Sequence, residues 1–168
     1  MKKRTPVTRT ALIWLWNSEP RKVPLAVMLT TAELESGIGT ERYDATAERY
    51  EESLKARKQK WSASDCTSYG LFQILGVNWR AIGNEFAIYS DQHRVFVNGT
   101  SPLTLDDLIR IQMRAYDRFM GTLIRKFGLP KAFRRYNGSG PAADRYQAKA
   151  ERIMARVEAE VGANHEHT

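Results

Sequence analysis

Disulfide chemistry is excluded at once, because Cys66 is the only cysteine among 168 residues. A single thiol cannot close an intramolecular bridge, so nothing indicates a fold matured by oxidation. Histidine is almost as scarce. Of three, only His93 falls within the expected folded part, and none neighbours Cys66 in sequence, which argues against a thiol nucleophile. The other two lie in Asn164-His165-Glu166-His167-Thr168, which reads as a frayed end rather than a metal site. No metal and no cofactor is expected. Long apolar runs are missing too. Ala11 to Trp16 and Leu25 to Leu29 are far shorter than the roughly 20 residues that span a bilayer, so no stable membrane insertion is expected. Met1-Lys2-Lys3-Arg4 resembles the start of a signal peptide. The apolar run after it is short, however, and Asn17-Ser18-Glu19-Pro20 stands where a small-residue cleavage site belongs. Neither repeats nor low-complexity blocks occur.

What is present fits one globular domain. A hydrophobic share of 42% can build a core, and 168 residues suit a single one. The expected layout is a basic tail over 1–8, one domain over 9–162 and a disordered tail over 163–168, as a monomer. The net charge is +7. A basic protein accumulates near polyanions, whether nucleic acid, anionic cell wall or outer-membrane lipid. The Lys and Arg residues are scattered among acidic ones rather than gathered on one recognition helix, which argues against nucleic acid as the partner.

Periodicity predicts an all-α fold of six or seven helices with at most a short β-hairpin. Helices are expected over about 9–16, 24–35, 46–58, 103–127, 130–136 and from Pro141 onward. The long fourth one carries the stripe Leu105, Leu108, Gln112, Ala115, Phe119, Leu123 and Phe127, with Thr104 as its N-cap. Tyr146, Ala150, Ile153, Val157 and Val161 form the buried face of the last. Asp65 or Ser68 is expected to cap an element after the loop 65–67. Val95-Phe96-Val97 before Asn98-Gly99 has the character of a short strand and turn.

Glu35 is the most informative residue. It ends an apolar helix, on one face with Leu25, Met28 and Ala32. Pro24 suits the first turn and Gly37 the left-handed residue past the end. Burial and the negative end of the helix dipole both disfavour an ionised carboxyl there, so the pKa is expected to rise. A general acid working near neutral pH requires this. Glu33, about 200° around the helix, is the ordinary solvent-facing carboxylate.

Three blocks stand in order: Glu35-Ser36, then Ser68-Tyr69-Gly70-Leu71-Phe72-Gln73-Ile74, then Tyr136-Asn137-Gly138. Together, from about Val23 to Val157, they resemble the lytic transglycosylases of the lysozyme superfamily, which includes the goose-type lysozymes. The likeness is greatest to small phage-type wall-degrading members. Three departures stand out: Phe72 replaces the usual Met, Arg135 replaces the small residue before the Tyr, and the stretch between Glu35 and Gly70, which carries the charged helix expected over 46–58, is longer than in many members. The resemblance implies a peptidoglycan substrate and Glu35 as a single acid/base. It places Ser36 and Tyr136 beside Glu35 or the substrate's acetamido group, and Gln73 on sugar amides. Tyr69 and Phe72 become groove walls, with Ser68 in the same block, and Gly70 permits close backbone approach. Asn137 holds the turn into the last helix. A hydrolytic muramidase on the same fold would need a second carboxylate, for which Asp44 and Asp65 are the candidates. The expected setting is synthesis in the cytoplasm and action on the periplasmic wall, after host lysis or from a virion.

Overall fold

A computed structural model describes residues 8–37, 68–75, 78 and 105–165. Among these residues the fold is helical, with one small hairpin. Helix α1 covers Arg9–Asn17, α2 Leu25–Ser36, α3 Leu105–Phe127, α4 Lys131–Asn137 and α5 Pro141–His165; strands β1 (Ser68–Tyr69) and β2 (Ile74–Leu75) pair antiparallel. The expected helix over 46–58, the strand at 95–97, the cap Thr104 and the residues Asp44, Asp65, Cys66 and His93 lie outside the described residues.

Local chemistry sets the element ends. The Thr8 hydroxyl accepts the Ala11 backbone N–H and starts α1. Pro24 immediately precedes α2, just outside the turn expected to contain it. Gly37 ends α2 at φ 75°, a left-handed conformation that costs glycine little. α5 continues to His165, beyond the expected domain edge at 162. Helix α2 is buried all round. Val27 to Ala32 are inaccessible, Thr30 and Thr31 included, because each threonine hydroxyl bonds a carbonyl one turn back.

α2 packs on α5, α4 bridges α3 and α5, and α1 closes the core against α2 and α3. The seam of α3 follows Ile109, Met113, Tyr116 and Met120, all fully or nearly fully buried, together with Gln112 and Ala115. It is rotated from the expected stripe, whose members Phe119, Leu123 and Phe127 are only half-buried. The connection from α1 to α2 is fastened to α3 by Asp117, whose carboxylate accepts the backbone N–H groups of Lys22 and Val23 at 3.0 and 2.9 Å. Arg114 adds a two-pronged bond to Glu19.

Ser68 begins a strand here rather than capping a helix. The register pairs Ser68 with Leu75 and Tyr69 with Ile74, leaving Gly70-Leu71-Phe72-Gln73 as the loop. Gly70 and Gln73 both take positive φ, 80° and 47°. The apolar run of this segment serves a tight, buried turn, with Leu71, Phe72 and Ile74 in the core.

Candidate active site

The site is assembled where the end of α2 meets the first turns of α5. Glu35 is half-buried on the penultimate residue of α2. Its Oε1 accepts a hydrogen bond from the Tyr146 hydroxyl at 2.6 Å, across 111 residues of sequence. Loss of hydration raises the Glu35 pKa above the ordinary carboxylate value, and the Tyr146 hydrogen bond opposes part of that rise. Burial and the Glu35 charge push the Tyr146 hydroxyl upward, so it stays a donor at physiological pH. Tyr136 is raised as well, first by burial and then by the Glu35 charge, which places that charge within electrostatic reach of both tyrosines.

Glu33 behaves differently. It pairs with Arg156 on α5, which also holds Glu160. Among the described residues, the two acids of α2 thus sit in contrasting surroundings: Glu33 is in an ion pair, and Glu35 accepts from a phenol. Burial favours the protonated form of Glu35.

The hairpin loop is fixed to the helices by three contacts. Gln112 of α3 accepts the Leu71 N–H at 2.6 Å. The Phe72 ring stacks on Tyr116, with centroids 4.2 Å apart and planes at 18°. The Phe72 carbonyl accepts the Tyr136 hydroxyl at 2.5 Å. Tyr116 is held in turn by Thr31 of α2, the two hydroxyl oxygens being 2.7 Å apart. Hairpin, α3, α4 and α2 therefore share one hydrogen-bonded aromatic seam. A stacked aromatic pair adds about 0.5–1.5 kcal/mol beyond its buried area.

Several expected roles change. Phe72 is no groove wall: its ring is fully buried on Tyr116, and it anchors the loop. The Ser36 hydroxyl turns back to the Ala32 carbonyl at 2.8 Å and is buried, so it closes the helix rather than facing a sugar. The Tyr136 hydroxyl engages the Phe72 carbonyl, and Tyr146 takes the place expected for it beside Glu35. Gln73 is half-buried and uses its amide N–H to bond the Gly70 carbonyl at 2.7 Å, which leaves the amide oxygen as the group able to accept from a ligand. Gly70 takes φ 80°, a conformation that favours glycine. Ser68 and Tyr69 form β1 at the loop's entrance. Asn137 is the exposed last residue of α4, and Gly138 makes the turn.

Tyr146, Tyr116 and Gln112 are the residues that sequence reasoning placed in the core or passed over. The signals were present: Gln112 is an amide in an apolar stripe, Tyr116 continues the spacing Ile109, Met113, Tyr116, Met120, and Tyr146 is the one hydroxyl on the apolar face of α5. Together the groups hold a carboxyl of raised pKa at the end of α2, with a phenol as its donor. That arrangement suits proton donation to an ether or glycosidic oxygen.

A family model described as Muramidase, N-acetylmuramidase, matches residues 19–158. No curated protein and no solved structure matches the chain.

Proposed function

The chain belongs to the N-acetylmuramidase family, and from that premise we propose that Glu35 is the acid/base with which it cleaves the β-1,4 bond between N-acetylmuramic acid and N-acetylglucosamine. The supporting observation is the Glu35–Tyr146 pair: a carboxyl poorly hydrated, bonded to a phenol and held apart from the Arg156–Glu33 ion pair.

Protonated Glu35 gives its proton to the bridging oxygen as the C1–O bond breaks. The leaving sugar departs as an alcohol, and positive charge develops at C1. In the transglycosylase course, the substrate's acetamido carbonyl stabilises that centre. Glu35, now a carboxylate, accepts the proton of the muramic 6-hydroxyl, and the 6-oxygen bonds to C1. The product is a 1,6-anhydro sugar, and Glu35 ends protonated as it began. One carboxyl suffices, in keeping with the three sequence blocks. Tyr146 orients Glu35 in both steps, and Gln73 offers its amide oxygen to a sugar amide. We propose a phage lysis or wall-penetration enzyme as the biological setting.

A second reading, hydrolysis, is favoured by the family's own description as an N-acetylmuramidase. It would use Asp44 or Asp65 to activate water. Digestion of purified peptidoglycan followed by mass spectrometry separates the two, because the anhydro product is lighter than the hydrolytic one by one water. Running Glu35→Gln alongside tests the site. Undiminished cleavage by that variant would remove Glu35 from the mechanism.

A further inference from the structure

Helix α5 separates its charges by flank. Arg145, Lys149, Arg152 and Arg156 recur at spacings of four, three and four and so share one side, whereas Glu151 and Glu158 fall on the other. On the basic side, Lys149, Arg152, Ile153 and Arg156 line an open groove of about 380 Å³. Among the described residues, Arg156 is the only one of these three cations with an ion-pair partner. Glu160, at the far end of this side, is itself held by Arg156 and Arg9.

The groove is placed relative to the candidate acid. Tyr146, Lys149, Ile153 and Arg156 form one continuous row, and Tyr146 is bonded to Glu35. Lys149 lies about 4.5 Å along the helix axis from Tyr146, and Arg156 about 15 Å, at 1.5 Å per residue. A glycan strand that is cleaved at Glu35 and runs on along α5 meets this row. In peptidoglycan each muramic acid bears a peptide stem with free carboxylates, which project from the strand. We propose that Lys149 and Arg152 form a subsite for those stem carboxylates, so that the protein binds peptide-bearing strands in preference to bare ones. Ile153 supplies an apolar floor for the stem's small side chains, and Arg156 is kept in place by Glu33 and Glu160. The inference rests on the proposed function of the Glu35 site, since that site brings the strand to the groove.

The test is co-sedimentation of full-length Glu35→Gln protein with insoluble peptidoglycan, either native or with its stem carboxylates amidated. Binding, not turnover, is read, so the result holds whichever reaction Glu35 performs. A preference of about fivefold for native wall is expected, the size that two exposed ion pairs support, and it should shrink as salt rises. Adding Lys149→Gln and Arg152→Gln should bring the ratio close to one. Adding Lys131→Gln and Arg125→Gln, which removes the same charge from elsewhere, should preserve it. Equal binding to both walls by the Glu35→Gln protein, or equal loss in both charge variants, overturns the subsite. A Glu35→Gln protein that still cleaves wall overturns the functional reading instead and leaves the binding ratio to judge the groove.

Discussion

At the scale of the residue, two glutamates of one helix turn are held in contrasting surroundings. Glu35 is raised by burial, while Glu33 is tied to a guanidinium. A carboxyl whose pKa rises on folding is favoured in its protonated form. It weighs least against the fold below the ordinary Glu value, and stability is lost as pH climbs through the raised value. Glu35→Gln cannot ionise, and its amide oxygen can still accept from Tyr146. We expect it to lower turnover by about 10²–10⁴-fold, the usual share of general acid catalysis. We also expect it to melt above wild type at neutral pH and level with it near pH 4, in thermal scans across that range. Tyr146→Phe tests the partner. The Tyr146 bond lowers the Glu35 pKa, so its loss should move the alkaline limb of the kcat/KM profile to higher pH. A merely structural tyrosine would lower stability, by about 1 kcal/mol for one hydrogen bond, and leave that limb in place. Glu35 was legible in the sequence because Pro24, Gly37 and the apolar spacing bracket it locally. Its phenol was not, since periodicity assigns Tyr146 to the core face and says nothing of a partner 111 residues away.

At the scale of the element, the hairpin loop is where pattern and structure part. Tyr69 to Leu75 shows no alternation of apolar and polar residues, and its turn depends on positive φ at Gly70 and at Gln73, which is not a glycine. Neither feature is a standard hairpin signal. What holds the loop is remote: Gln112 on α3, Tyr116 beneath Phe72 and Tyr136 on α4. The helices themselves were readable, because caps, glycine stops and a 3.6-residue period are local. The rotation of the α3 seam was not, since Ile109, Met113, Tyr116 and Met120 compete with an equally periodic neighbouring stripe. Gln112 makes the dependence testable. Gln112→Leu keeps the bulk but leaves the buried Leu71 N–H without its acceptor. It should cost about 1–3 kcal/mol in denaturant unfolding. It should also lower kcat/KM more than Ile111→Val, which trims one methylene from a buried neighbour on α3 and removes no hydrogen bond. Equal losses in the two variants would detach the loop from the site.

At the scale of the molecule, α3 is the hub and surface charge is the means of approach. The Asp117 carboxylate fixes the α1–α2 connection from one side of α3, while Gln112 fixes the hairpin from the same helix. The α1–α2 connection and the hairpin are therefore both held by hydrogen bonds to one helix. The net charge of +7 is then free to act on encounter with the substrate. Peptidoglycan is a carboxylate-bearing polymer, and attraction between exposed charges acts over roughly 10 Å at 0.1 M salt but only about 3 Å at 1 M. The chemical step proposed for Glu35 would take place at a poorly hydrated carboxyl, where screening is weaker. Raising salt from 0.05 to 0.5 M should therefore increase KM on native wall several-fold while kcat holds. On short peptide-free glycan oligomers, which carry far less charge, KM should scarcely move. Steady-state assays on both substrates, with thermal scans at each salt to confirm an intact fold, separate the terms. A fall in kcat matching the rise in KM would mean that salt reaches the Glu35–Tyr146 pair, and that the pair is wetter than its burial implies.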